Sequence, residues 1–366
     1  MKKITTALVG SLFGLGLTSA AVAQTTVSGN LDLVYHAISP KTTPDAATGM
    51  GSYRAYGQEA QINLQNKGKL SNGMEYAAGF SWELDGNEAL GSAGNDDSAN
   101  ARNENVYIDL FLSKNTYISI SQDHIPNSDV TMTQLVGWSY IGVQGVNNLG
   151  ALYPTSFNDS GLGIGLVHNF GPTTLAVAYQ PNPGKSGGAS DTGHNLTSAN
   201  DTSDNSKVEA VLRGGLGVKG LDTLLGYVSQ KGNNPTMKDE DGFRVAAKYN
   251  FGSITVAGDY IKVEGQNQRQ IASPFTARTG GVDEIRGKSI GVSYAITPAL
   301  SVGALKAKAE GNLTGSIDET INQIAVGYNL GAVAFQAQYK EGKGIAGIAG
   351  DAGKGDSFHV KASTRF

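Results

Sequence analysis

The sequence predicts an all-β protein, a single 16-stranded antiparallel transmembrane β-barrel. Three observations lead there: side chains alternate between apolar and polar with a period of two, long and short connections interleave strictly, and no segment is apolar for long enough to cross a bilayer as a helix. Glycine, at 50 of 366 residues, is about twice its usual share of ~7%. It is scattered through the strand-like segments and turns, where a helical protein would lose about 1 kcal/mol per interior glycine.

Alternation is clearest in four segments. From Met74 to Leu84 the even positions are Met74, Tyr76, Ala78, Phe80, Trp82 and Leu84, against Glu75, Ala77, Gly79, Ser81 and Glu83. From Phe243 to Phe251 an apolar set alternates with Arg244, Ala246, Lys248 and Asn250. Val333, Phe335, Ala337 and Tyr339 face away from Ala334, Gln336, Gln338 and Lys340, and the chain ends on Phe358, Val360, Ala362, Thr364 and Phe366, interleaved with polar residues. A strand points successive side chains to opposite faces, so each segment has one greasy and one polar side.

Twelve weaker segments follow the same rule: Val27 to Ala37, Tyr56 to Leu64, Val106 to Leu112, Thr116 to Gln122, Leu162 to Phe170, Thr173 to Gln180, Lys207 to Arg213, Thr223 to Gln230, Ile254 to Ile261, Lys288 to Ile296, Leu300 to Lys306 and Ile321 to Leu330. The residues leave the register open at Leu162 to Phe170 and Leu300 to Lys306. The total is even, as a closed bacterial barrel with both termini on one side requires.

The connections separate a membrane barrel from a soluble sandwich. Long polar linkers run over about 39–52, 85–102, 124–160, 181–206, 231–241, 264–284, 308–319 and 341–355; seven tight connections lie between them. Short turns at one end and long loops at the other are the asymmetry of an outer-membrane barrel. No domain boundary interrupts the pattern. The first residues, Lys2 and Lys3, an apolar stretch from Ala7 to Leu17 and Ala21-Val22-Ala23, read as a secretory signal peptide over 1–23, with the barrel over 24–366. Removing Lys2 and Lys3 from the 28 basic residues leaves 26 against 32 acidic ones. That balance excludes a nucleic-acid partner, which needs a basic surplus.

Charges on the faces opposite the greasy ones require a wet interior, because a dry core would bury them at several kcal/mol each. The alternation places Asp32, Glu59, Glu75, Glu83, Asp109, Glu209, Arg213, Arg244, Lys248, Asp259, Lys340, His359, Lys361 and Arg365 on a pore wall. Asp32 and Lys361 are predicted to meet where the first and last strands close. Tyr76, Trp82, Tyr249, Phe251, Tyr294 and Tyr328 fall near the ends of apolar faces, where interfacial aromatic girdles belong.

The chain resembles the general trimeric porins of Gram-negative bacteria, in particular those of betaproteobacteria and Neisseria. The likeness rests on Val27-Ser28-Gly29-Asn30-Leu31-Asp32, on Arg102-Asn103 before Val106-Tyr107-Ile108-Asp109-Leu110, on Gln122-Asp123, on Tyr294-Ala295-Ile296-Thr297-Pro298 and on the terminal Phe366. The resemblance implies a homotrimer in the outer membrane, exposed to its lipid, that passes small hydrophilic solutes and ions by passive diffusion. It also implies a third loop folded inward to constrict the pore, here Asp123 to Asp159, and Phe366 as the signal read by the barrel-assembly machinery. The family places an Arg before the Gln-Asp pair, where this chain has Ser121, which removes the usual source of anion preference. The loop holds Asp123, Asp129 and Asp159 but no Lys or Arg. Acidic rings favour cations, so weak cation selectivity is the expectation.

Other motifs carry less. Gly215-Leu216-Gly217-Val218-Lys219-Gly220 has dinucleotide-fingerprint spacing, but a glycine-rich turn surrounds it and no amphipathic helix follows. Asn95-Asp96-Asp97 lacks the spaced ligands of a calcium loop. None of His36, His124, His168, His194 and His359 falls in a catalytic motif, so neither an enzyme activity nor a cofactor is expected. The alternatives are a sugar- or nutrient-specific porin, a surface adhesin and an outer-membrane hydrolase.

Overall fold

The computed structural model describes residues 23–40, 53–86, 100–122, 124–126, 132–137, 162–181, 206–231, 239–265, 284–311, 318–344 and 354–366. Its strands are β1 (Gln24–Pro40), β2 (Tyr53–Lys69), β3 (Glu75–Gly86), β4 (Asn100–Ser113), β5 (Thr116–Ser121), β6 (Gly163–Phe170), β7 (Thr173–Gln180), β8 (Lys207–Gly214), β9 (Leu221–Gln230), β10 (Glu240–Phe251), β11 (Ile254–Glu264), β12 (Glu284–Ala295), β13 (Leu300–Gly311), β14 (Glu319–Leu330), β15 (Val333–Lys343) and β16 (Gly355–Arg365). Each strand pairs antiparallel with its sequence neighbours, and β1 pairs with β16 to close the barrel. No described helix is long and apolar enough to cross a membrane.

All sixteen predicted segments are strands, but several extend further at the long-loop end. The ladder of β4 begins at Asn100 rather than Val106, that of β12 at Glu284 rather than Lys288, and β13 runs on to Gly311. Hydrocarbon imposes alternation only across its own thickness. Above it the outer face turns polar while pairing goes on: in β12 and β13 Glu284, Arg286, Lys308 and Glu310 face outward and Ile285, Ala307 and Ala309 are buried inside, so the greasy-outside pattern ends before the hydrogen bonds do. The two open registers resolve as well. In β6, Ile164 and Leu166 point outward and Val167 inward; in β13, Ala304 and Lys306 point outward while Leu305 is buried inside.

The outward face is a continuous apolar band. Exposed residues on it include Ile108, Ile120, Ile164, Leu166, Val177, Leu225, Val245, Ile290, Val292, Ile324 and Val326. Aromatic side chains border it at both ends. Phe170, Tyr249, Phe251, Tyr294, Tyr328 and Phe366 lie near the short turns, and Tyr56, Trp82, Tyr179, Tyr227, Phe243 and Tyr339 lie toward the loops. Such girdles mark the two membrane–water interfaces. Tyr76 anchors the short-turn rim through its hydroxyl, which donates to Asn66 Oδ1 at 2.7 Å.

Closure depends on a glycine. Gly29 and Phe366 exchange backbone hydrogen bonds of 2.8 and 3.0 Å, and the Phe366 ring lies over Gly29. A β-carbon there would come within 2.6 Å of that ring and 2.5 Å of the Gln61 carbonyl oxygen. The aromatic ring covers backbone that glycine leaves bare, which is how sheets shield a strand glycine. Lys361 Nζ donates to Asp32 Oδ2 at 2.8 Å across the same seam. Gly29→Val is expected to displace Phe366 and lower barrel stability by roughly 1–3 kcal/mol, the usual cost of overpacking. Urea unfolding of refolded protein in detergent micelles checks this.

Candidate functional site: a constricted lumen

The inner wall is built from the alternate positions that the outward band leaves free. Every predicted wall residue points inward: Asp32, Glu59, Glu75, Glu83, Asp109, Glu209, Arg213, Arg244, Lys248, Asp259, Lys340, His359, Lys361 and Arg365 fall on the positions opposite the apolar band. Their surroundings differ. Glu75 lies at the mouth beside the short turns, mostly exposed and 3.5 Å from Lys69. Lys248 pairs with Asp222 at 3.2 Å, both partly exposed.

Arg244 and Asp259 depart from expectation. They face the lumen, yet both side chains are 0% exposed. Arg244 Nε donates to Asp259 Oδ1 at 3.1 Å and Nη2 to Oδ2 at 2.5 Å, a two-pronged pairing that suits the guanidinium fork. Asp259 also accepts the backbone N–H of Met132. Lys340 is buried too, at 3% exposure, near His359. His359 in turn meets His36 with 2.8 Å between their Nδ1 atoms.

What covers the wall is the stretch that follows β5. Its described parts, 124–126 and 132–137, lie inside the barrel. His124 Nε2 is 3.0 Å from Asp109 Oδ2, and its ring stacks on Tyr107 at 3.5 Å. Ile125 packs on Val167, Ala176 and Ala178 of β6 and β7. Met132 packs on Leu224 and Ala246 of β9 and β10. The hydroxyls of Thr133 and Ser289 are 2.6 Å apart, and the Val136 carbonyl oxygen accepts from Gln323 Nε2 at 3.2 Å. Contacts thus run from β4 round to β14, and these described parts narrow the passage that the strands enclose.

Sequence reasoning missed these seats. Inward-facing Leu224, Val167 and Leu305 break the expectation of a uniformly polar interior, and Gly291 and Gly303 leave room for the stretch. A β-carbon on Gly291 would meet the Thr133 carbonyl oxygen at 2.1 Å, so backbone presses on backbone there. The available signal was apolar or glycine residues in the polar half of the alternation. Asp123, Asp129 and Asp159 lie outside the described residues. Ser121 is fully buried on the inner wall at the start of the stretch.

A closed barrel with an apolar outside, a charged inside and an inward-folded segment after the fifth strand is the setting for comparison with known proteins. The chain matches the Gram-negative porin family over residues 5–353. It belongs to that family. It is therefore an outer-membrane channel for passive diffusion, in a family of channels rather than enzymes. Solved structures agree on the fold. An anion-selective porin from Comamonas acidovorans is 18% identical, with a TM-score of 0.61, and a refined porin structure is 15% identical at 0.59. A variant of the Rh. blastica porin is 13% identical at 0.59. In each case 94% of this chain and 100% of the other are covered. No curated protein matches.

Within this porin the Arg244–Asp259 pair is a buried ion pair beneath the constricting stretch. Removing one partner of such a pair strands the other charge and costs about 3–5 kcal/mol. Arg244→Ala is expected to destabilise the barrel by that order in micelle unfolding, and Arg244→Ala with Asp259→Ala to recover most of it. Gly291→Val tests the seat itself. It forces the stretch away from the wall at Thr133, and single-channel recordings should show a changed conductance with more open-channel noise.

Proposed function

We propose that this porin is a general diffusion pore, a homotrimer reached by signal-peptide-dependent export, whose aperture is set by the stretch between β5 and β6 and biased weakly toward cations. The stretch seated along the inner wall carries this reading. Size exclusion follows from its position. The bias follows from the charges around it: the wall pairs Arg244 with Asp259, Lys248 with Asp222 and Lys361 with Asp32, so three of its cations are each offset by a carboxylate. Asp123, Asp129 and Asp159 then tip the balance in a segment with no Lys or Arg. The Comamonas porin is described as anion-selective; the Ser121 position and the acidic loop support the opposite preference here.

Residues 1–23 have the pattern of an export signal, and cleavage after Ala23 would leave β1 whole. Phe366, outward-facing and 69% exposed, is available as the terminal aromatic that the barrel-assembly machinery reads. Pore-wall roles for Glu75, Glu83, Asp109, Arg213, Lys340 and Lys361 rest on their inward direction.

Planar-bilayer recording of purified, unheated protein tests both parts. The expected record has conductance steps in threes, rising linearly with salt, and a reversal potential of the sign for cation preference in a salt gradient. Clear anion preference overturns the selectivity reading. Current block that saturates with an added sugar overturns the general pore in favour of a substrate-specific one.

A further inference from the structure

The outward wall over β12 to β16 is not an even apolar surface. Two rows of side chains run across these strands in register. One is Val292, Ala304, Ile324, Tyr339 and Phe358; the other is Tyr294, Val302, Val326 and Ala337. Alanine stands at one position in each row amid bulky neighbours, and the two dips join into a trench of about 500 Å³ with an almost wholly apolar lining. It lies within the membrane belt, so its occupant has to be apolar.

The next position on β13 toward the loops is Lys306, two residues from Ala304 and about 7 Å along the strand. It points outward, is exposed, and has Ile290 and Asn322 as strand neighbours. Nothing among the described residues forms a hydrogen bond or ion pair with it. The lysines beyond it differ. Lys288 and Lys308 share Glu310 at 3.0 and 2.6 Å, and Lys308 also reaches Asp318 at 2.8 Å. Lys262 and Arg286 share Glu284 at 3.2 and 2.5 Å, and Lys262 also reaches Glu264. Over β11 to β13 these cations share carboxylates, and Lys306 stands outside their pairs. At the β15–β16 end of the same trench the outward carboxylates Glu341 and Asp356 lie beside Tyr339, so the cationic end is over β13.

A cation on a lipid-facing strand is costly at the bilayer centre and tolerated near the headgroups, to which a lysine stem can carry its ammonium. Among the described residues Lys306 has no carboxylate partner, and it stands where an apolar trench meets a polar rim.

We infer that the trench between Ala304 and Ala337, headed by Lys306, binds a phosphorylated lipid of the loop-side leaflet. Its acyl chain lies across β13 to β15 and its phosphate meets Lys306, with Lys288 and Lys308 alongside. The two halves support each other: the trench selects a hydrocarbon chain, and the unpaired ammonium selects an anionic headgroup. The inference rests on the porin reading, which places this face in lipid.

The test uses the full-length purified porin in micelles doped with phosphatidylglycerol or with phosphatidylcholine of the same chains, and counts retained lipids by native mass spectrometry. Wild type should retain phosphatidylglycerol several-fold better than phosphatidylcholine. Lys306→Ala should abolish that preference while leaving chain binding, and Ala304→Leu with Ala337→Leu should reduce retention of both lipids. Equal retention by all three proteins overturns the site. Full displacement by inorganic phosphate overturns the lipid in favour of a free-anion site, and loss of oligomer rather than lipid in the trench-filling variant overturns it in favour of contact between copies. Conductance measured on the same preparations keeps the two readings apart. It should be unchanged in all three, and its absence in wild type would count against the channel whatever the lipid counts show.

Discussion

The whole structure answers to one constraint: hydrocarbon offers no partner to a backbone N–H or C=O, so every strand that crosses it must be paired on both edges. Sixteen strands meet this by closing β16 onto β1. The seam is where the constraint is most severe, since it joins the two ends of the chain. There the Phe366 ring lies over Gly29, the same two residues exchange two backbone hydrogen bonds, and Lys361 holds Asp32. Once the ring is closed, the rest follows. Short turns collect at one end, long loops at the other, and each strand must show one face to lipid and the other to the interior.

The inner face carries two demands that pull apart. Solutes need a polar passage, whereas a segment folded into that passage needs something to hold it. The molecule divides the wall between them. Ile125 and Met132 take apolar seats on β6, β7, β9 and β10, while Thr133 and Val136 are fixed by single polar contacts to β12 and β14. Beneath Met132 the Arg244–Asp259 pair is shut away from solvent, each charge answering the other and the Met132 backbone N–H adding to the carboxylate. Elsewhere the wall pairs its charges in partial contact with water, as Lys248 and Asp222 do.

Much of this was legible in the residues. Alternation in Met74 to Leu84 and Phe243 to Phe251 gave the strand faces correctly, and the interleaved loop lengths pointed to the up-and-down topology. Strand ends at the loop side were not legible, because Asn100 to Asn105 and Glu284 to Gly287 carry no apolar alternation; they pair above the hydrocarbon, where no pattern is enforced. The seats were illegible for another reason. Leu224 beside Leu225, and Gly291 between Ile290 and Val292, look like defects in a pattern until a second segment is known to press on them. Period-two reasoning tells which way Arg244 points, and says nothing of what lies over it.

The stretch after β5 is gripped by strands from β4 to β14, far more of the circumference than its own two neighbours. On the proposed reading the aperture is therefore a property of the rigid cylinder. The other seven long connections can then change in sequence without recalibrating the sieve.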